Sequence, residues 1–142
     1  MAFKRYRGLT VTRWLPVTVS TTFTAGDIVA WSSGYLIKAT TTSAAKTHVG
    51  VIKKTIAATD SDYATARLVP VEIPNDKMVE WRVTGTTFVV TENGLWGDLA
   101  TAGTVVNPGT GSTYDAYQQK SIISTTEAIV VLNLGGAVET IN

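Results

Sequence analysis

Alternation of β-branched and polar residues is the feature that most limits what this chain can become. In 10–20 one face reads Val11, Arg13, Leu15, Val17, Val19, and the other Thr10, Thr12, Trp14, Pro16, Thr18, Ser20. The same period recurs in 67–74, where Val69, Val71 and Ile73 share a face. It recurs again in 77–84, where Val79, Trp81 and Val83 oppose Glu80, Arg82 and Thr84. A two-residue period is the mark of a strand with one covered face. Threonine supplies 24 positions and valine 17. Both are stiff at the first side-chain torsion and suit a pleated surface better than a helix. No stretch carries an i, i+3, i+4 apolar face through three turns. The run at 127–134 is apolar except at Glu127 and Asn133, as for a strand buried on both faces or lying in an interface.

Turn residues punctuate these runs. Ser32, Ser33 and Gly34 separate 28–31 from 35–40, which reads as a hairpin. Further breaks fall at 60–62, 92–94 and 107–112. Strands at this spacing predict an all-β fold, a small antiparallel β-barrel or sandwich. Pro16, Pro70 and Pro74 lie inside or beside strand patterns, so those strands are expected at edges or bulges. Gly50, between Val49 and Val51, predicts a bulge or a close backbone approach. The segments 57–66 and 94–101 read as loops with at most a single turn, and 107–120 receives no assignment.

At 142 residues the chain fits one domain that folds without a metal or disulfide. We expect an extended N-terminal arm at 1–9, one β domain at 10–134 and a C-terminal tail at 135–142. No run is long and apolar enough for a membrane helix. Lys4, Arg5 and Arg7 are followed by Thr10, Thr12 and Arg13 rather than by an apolar core, so no signal peptide is expected.

Chemistry is thinly represented. There is no cysteine, which removes thiolate nucleophiles and cysteine zinc sites. His48 is the only histidine, and no Gly-x-Ser-x-Gly elbow accompanies it. It reads as a strand histidine at a surface or subunit contact. Asp60 and Asp62 suit a turn better than a calcium loop, which needs a third oxygen ligand, a glycine and a distal glutamate. Glu72 and Glu80 are predicted on polar faces without a defined pair. No glycine-rich phosphate loop follows a strand. These absences predict no enzyme, no cofactor and no metal.

Binding remains. Phe3, Lys4, Arg5, Tyr6 and Arg7 mix basic and aromatic side chains, the alphabet of single-strand nucleic-acid contact. The net charge of +1 argues for an arm on a partner protein instead. Trp14 alternates away from the apolar face of its strand, so it is the tryptophan best placed for an outside contact.

The chain then resembles a family. The run Phe-Thr-Ala-Gly-Asp-Ile-Val at 23–29 is followed by Ser-Gly-Tyr-Leu-Ile-Lys-Ala-Thr at 33–40. Next come His-Val-Gly-Val-Ile at 48–52 and Ala-Arg-Leu-Val-Pro-Val-Glu-Ile-Pro at 66–74. This layout resembles the capsid decoration (cement, head-stabilising) proteins of tailed bacteriophages. The segments at 90–99, 103–107 and 121–132 are similar to phage head proteins of this size. The resemblance implies a structural virion protein on the outer capsid surface. Its partners would be the major capsid protein and itself, as a homotrimer, with no nucleic acid and no membrane. It would stabilise the expanded head by bridging coat subunits. On that reading Phe3 to Arg7 reach onto the coat, Trp14 docks at an interface, and Ile129, Val131, Leu132 and Leu134 serve subunit packing. The alternatives are another virion or surface β-module that binds glycan or receptor, and a single-strand nucleic-acid-binding barrel.

Overall fold

The structure is a computed structural model that describes residues 3–40, 45–85, 87–101, 105–106 and 116–135. Among these the chain forms β1 (Phe3–Arg7), β2 (Thr10–Pro16), β3 (Ile28–Ser32), β4 (Tyr35–Lys38), β5 (His48–Ile52) and β6 (Leu68–Pro74). It continues with β7 (Glu80–Thr84), β8 (Trp96–Gly97), β9 (Leu99–Thr101), β10 (Val105–Val106), β11 (Tyr117–Ser124) and β12 (Glu127–Leu132). Among the described residues the helical elements are two single turns, Ala45–Thr47 and Val90–Glu92.

Two antiparallel sheets carry the fold. The first runs β1-β7-β12-β11-β8 and the second β2-β6-β5-β3-β4, with β9 and β10 paired separately. Of the expected alternatives the sandwich is the one found; the sheets do not close into a barrel. The second sheet curls, so that Val17, just past β2, bridges to Leu36 of β4. One core joins the two layers. Phe3, Trp81, Val83 and Val130 of the first sheet cluster with Val29, Ile52, Val69 and Val71 of the second. Each such side chain stabilises the fold by roughly 1.5–3 kcal/mol on burial.

The expected N-terminal arm is instead a strand of the sandwich. Phe3, Lys4 and Arg5 pair with Val83, Arg82 and Trp81 of β7, and Phe3 is buried. The Phe3 N–H also donates to the Gly26 carbonyl at 3.2 Å. An aromatic ring that can be buried against Val83 outweighs the solubility of its basic neighbours, which stay at the surface. Gly8 then turns the chain from the edge of the first sheet to the edge of the second. Its φ is +104°, and a Cβ there would lie 3.0 Å from Val79 Cγ2. Only glycine serves both demands. The tail beyond Gly135 lies outside the described residues, as does 107–115.

Local chemistry explains the rest of the layout. Ser33 (φ 51°) and Gly34 (φ 85°) form the two-residue turn of the β3–β4 hairpin. Asp27, just before β3, accepts from the Thr24 N–H at 2.9 Å and closes the preceding turn. The segment 94–101, expected as loop, contains β8 and β9.

The proline expectation holds for one strand and fails for another. Pro16 lies on β2, an edge. Pro70 and Pro74 lie on β6, an interior strand between β2 and β5. Paired residues join β5 to β6 only at Val51–Glu72 and Ile52–Val71. Pro70 and Pro74 therefore bracket that short ladder, at the two positions where a missing N–H breaks nothing.

Candidate interaction surface

The sequence-derived contact residues separate into buried and exposed sets. Phe3, Ile129, Val131, Leu132 and Leu134 are all buried within this one chain. β12 lies between β7 and β11, so both its edges are paired. Val130 and Leu132 face the core, while Ile129 and Val131, at 5% and 8% exposure, point to the opposite face. The long apolar run is thus the signature of a central strand, and these five residues, expected at an interface, are buried within the chain, with Phe3, Leu132 and Leu134 in its core. Lys4, Arg5, Tyr6, Arg7 and Trp14 remain exposed.

Both arginines of β1 are engaged. Arg5 Nε lies 3.1 Å from Glu72, and Arg7 Nε 3.7 Å from Glu80. Glu72 also accepts from the Thr10 hydroxyl at 2.7 Å. Glu72 is on β6, so its contact with Arg5 ties the edge strand of the first sheet to an interior strand of the second. Arg82, beside Lys4 in register, is bonded to Glu127 at 2.5 Å and holds that carboxyl below its ordinary range. The local basic excess is thereby answered by acids from elsewhere in the fold. A cleft of about 190 Å³ beside β1 is lined by Phe3, Arg5, Gly26, Val51, Lys53 and Glu72. It is smaller than the roughly 300–1,000 Å³ of typical ligand pockets.

His48 differs from its expected surface position. It is fully buried, and burial pushes its pKa down to about 4. A sealed neutral imidazole cannot exchange protons with a substrate. Asp60 and Asp62 act on the loop. Asp60 accepts from the Ala57 N–H at 3.1 Å, and Asp62 is ion-paired with Arg67, which holds its carboxyl low. No group of three potential metal ligands occurs among the described residues. Nor does any helix among them have the length and apolarity to cross a membrane.

Trp14 is the most distinctive exposed group. On β2 it sits directly opposite Pro70, and Pro16 sits opposite Leu68. Residues opposite each other share a face, so these four side chains form one apolar patch on the outside of the second sheet. Trp14 is 63% exposed and Leu68 56%, while Pro16 and Pro70 are half-buried between them. Leu9 and Met78 are also exposed, near the Gly8 corner at the other end of β2. Sequence reasoning found Trp14 from its phase. It missed Leu68, because which residues lie beside Trp14 depends on strand pairing. Pro70, opposite it, was read only as a strand-edge signal.

No protein-family model matches this chain, and no curated protein matches it.

Proposed function

We propose that this protein binds the outer surface of a tailed-phage capsid through the face around Trp14. There it holds neighbouring major capsid protein subunits together in the expanded head. Two things support the reading: the resemblance of 23–74 to decoration proteins and of the C-terminal half to phage head proteins, and the chemistry of the exposed face. The observation that carries it is the patch of Trp14, Pro16, Leu68 and Pro70 on an otherwise lightly charged β surface. Large aromatic anchors ringed by small polar residues are the usual centre of a protein–protein contact. Threonine and valine lose little side-chain entropy when such a face is covered.

The test is co-sedimentation with expanded and unexpanded heads of the phage that encodes the chain. The native protein is expected to saturate expanded heads. Trp14→Ala, a change at an exposed position, is expected to weaken binding about tenfold or more. Failure of the native protein to sediment with heads rejects the proposal, and so does full occupancy by Trp14→Ala. Quenching of tryptophan fluorescence by glycans, lost in Trp14→Ala, would point to the glycan-binding module instead.

A further inference from the structure

We propose that β2 pairs with β2 of a second copy about a twofold axis through Thr12, joining two second sheets into one continuous sheet. The inference is independent of the capsid reading and rests on which backbone groups the edge leaves open.

β2 lies at the end of the sheet order, with β6 on one side only. The direction of each backbone group follows from the flanking hydrogen bonds. The Asn75 N–H, just past β6, donates to the Leu9 carbonyl at 2.9 Å, and the Val17 N–H donates to the Arg67 carbonyl at 3.3 Å. Odd positions therefore turn toward β6. The Thr18 N–H donates the other way, to Leu36 at 3.0 Å. In an antiparallel ladder this parity persists along the strand. The N–H and C=O of Thr10, Thr12 and Trp14 thus point out of the sheet, and no described residue takes them.

The other edges of the two sheets are managed. β1 is tied at Phe3 to Gly26 and interrupted by a bulge between Arg5 and Arg7. β4 is engaged at Leu36 by Val17 and Thr18. β8 is two residues long. Among the described residues only β2 offers a long edge without a bulge, open from Thr10 to Trp14 before Thr18, past its end, meets Leu36 of β4. It has no lysine, and its side chains from Val11 to Trp14 are exposed on both faces. Natural edges of this kind are blocked or used.

A second copy fits this edge better than an arbitrary strand, because the edge complements itself in one register. A twofold through Thr10 or Val11 would set one open residue, Thr12 or Trp14, against Gly8, where the chain has already turned. A twofold through Arg13 or Trp14 would set Thr10 or Thr12 against Pro16, which has no N–H to give. Through Arg13 it would also oppose that arginine to its own symmetry mate. Through Thr12 it sets Thr10 against Trp14 of the copy, and every open N–H meets an open C=O. Arg13 then lies across from Val11, so like charges are not opposed. The Gly8 corner and Pro16 close the ladder at its two ends. Such isologous pairing is the commonest route to a dimer, and it differs from the homotrimer that the resemblance implies.

Light scattering over a concentration series tests the state of the isolated protein, without capsids. The mass is expected to rise to twice 15.1 kDa. A mass that stays at one chain, or climbs to three, overturns the proposal. Register is tested in the same cysteine-free background with Thr12→Cys. Residues facing each other across a hydrogen-bonded pair sit about 5.5 Å apart at Cα, within disulfide range. Rapid oxidation to a covalent dimer is expected for Thr12→Cys but not for the exposed control Ser61→Cys. Equal rates for the two overturn it. Thr12→Pro removes a donor that β6 does not use, and is expected to give a folded monomer. A Thr12→Pro protein that remains a dimer overturns the proposal as well.

Discussion

His48 is fully buried, and neither ring nitrogen completes a hydrogen bond. The Asn133 backbone near the ring favours the charged form, but burial outweighs it and lowers the pKa from 6.5 to about 4. The consequence is a defined pH dependence. Above 6.5 the imidazole is neutral in both folded and unfolded chains. As pH falls from 6.5 towards 4, the unfolded chain takes up a proton that the folded one refuses, so stability declines through that window. The slope from this one group approaches about 1.4 kcal/mol per pH unit. Asp27, whose carboxyl is raised by burial, has the opposite sign and contributes stability that fades as pH rises. Urea unfolding at a series of pH values separates the two, because His48→Gln is expected to remove the His48 slope and leave that of Asp27. An unchanged pH profile in His48→Gln would show that the ring gains a partner on protonation. Gln119 is a second buried polar group, and its amide nitrogen is satisfied by the Val89 carbonyl and Asn93 side chain at 2.9 and 2.8 Å. His48 differs in that its ring can take up a proton, and burial penalises the charged form, which is why it responds to pH.

Among the elements, β5 shows how tightly one strand can be constrained by its neighbours. All five of its residues are buried. A Cβ at Gly50 would come within 2.4 Å of the Glu72 carbonyl oxygen, a backbone atom that cannot swing aside. On the other flank the β3–β5 register shifts between Val29 and Ala30, opposite the same glycine. Gly50→Ala is therefore expected to destabilise the protein by about 1–3 kcal/mol, the usual cost of overpacking, read as a lower urea midpoint with an unchanged slope. Gly34→Ala forms a useful contrast, since nothing lies within 4 Å of its Cβ and only the positive φ is strained. Gly50 was legible in the sequence because a glycine between two valines gives up strand packing on both sides, which a bulge or a close backbone approach requires. So were β2, β6, β7 and β12 as strands, from period and residue type. What period cannot supply is neighbours. The phase of 127–134 left open whether a strand or a partner covered it. Tyr117 across from Leu132, and Trp81 across from Val130, are facts of pairing that no local pattern encodes. The same gap hid Leu68 from the candidate surface and misplaced β1.

At the scale of the molecule, β1 matters because it belongs to one sheet and is bonded to the other. Phe3 fills the core, Arg5 reaches across to Glu72, and Gly8 hands the chain to β2. Removing residues 1–8 strips the edge of β7 and leaves a void where Phe3 lay. Loss of a buried phenylalanine side chain by itself costs about 3–5 kcal/mol. The deletion is therefore expected to lower the free energy of unfolding by at least about 3 kcal/mol, measured by urea denaturation of the isolated protein. That expectation governs how capsid experiments are read. A deletion that fails to bind heads would report a weakened sandwich as readily as a missing contact. Charge reversal at Arg7, whose side chain is mostly exposed and whose ion pair with Glu80 is long at 3.7 Å, removes a surface feature without removing the strand. Exposed ion pairs contribute roughly 0–1 kcal/mol, so Arg7→Glu is expected to stay folded and to change only what touches β1 from outside. If the deletion instead unfolds at the native midpoint, β1 is an appendage, and the contacts of Phe3 and Arg5 contribute nothing to holding the sheets together.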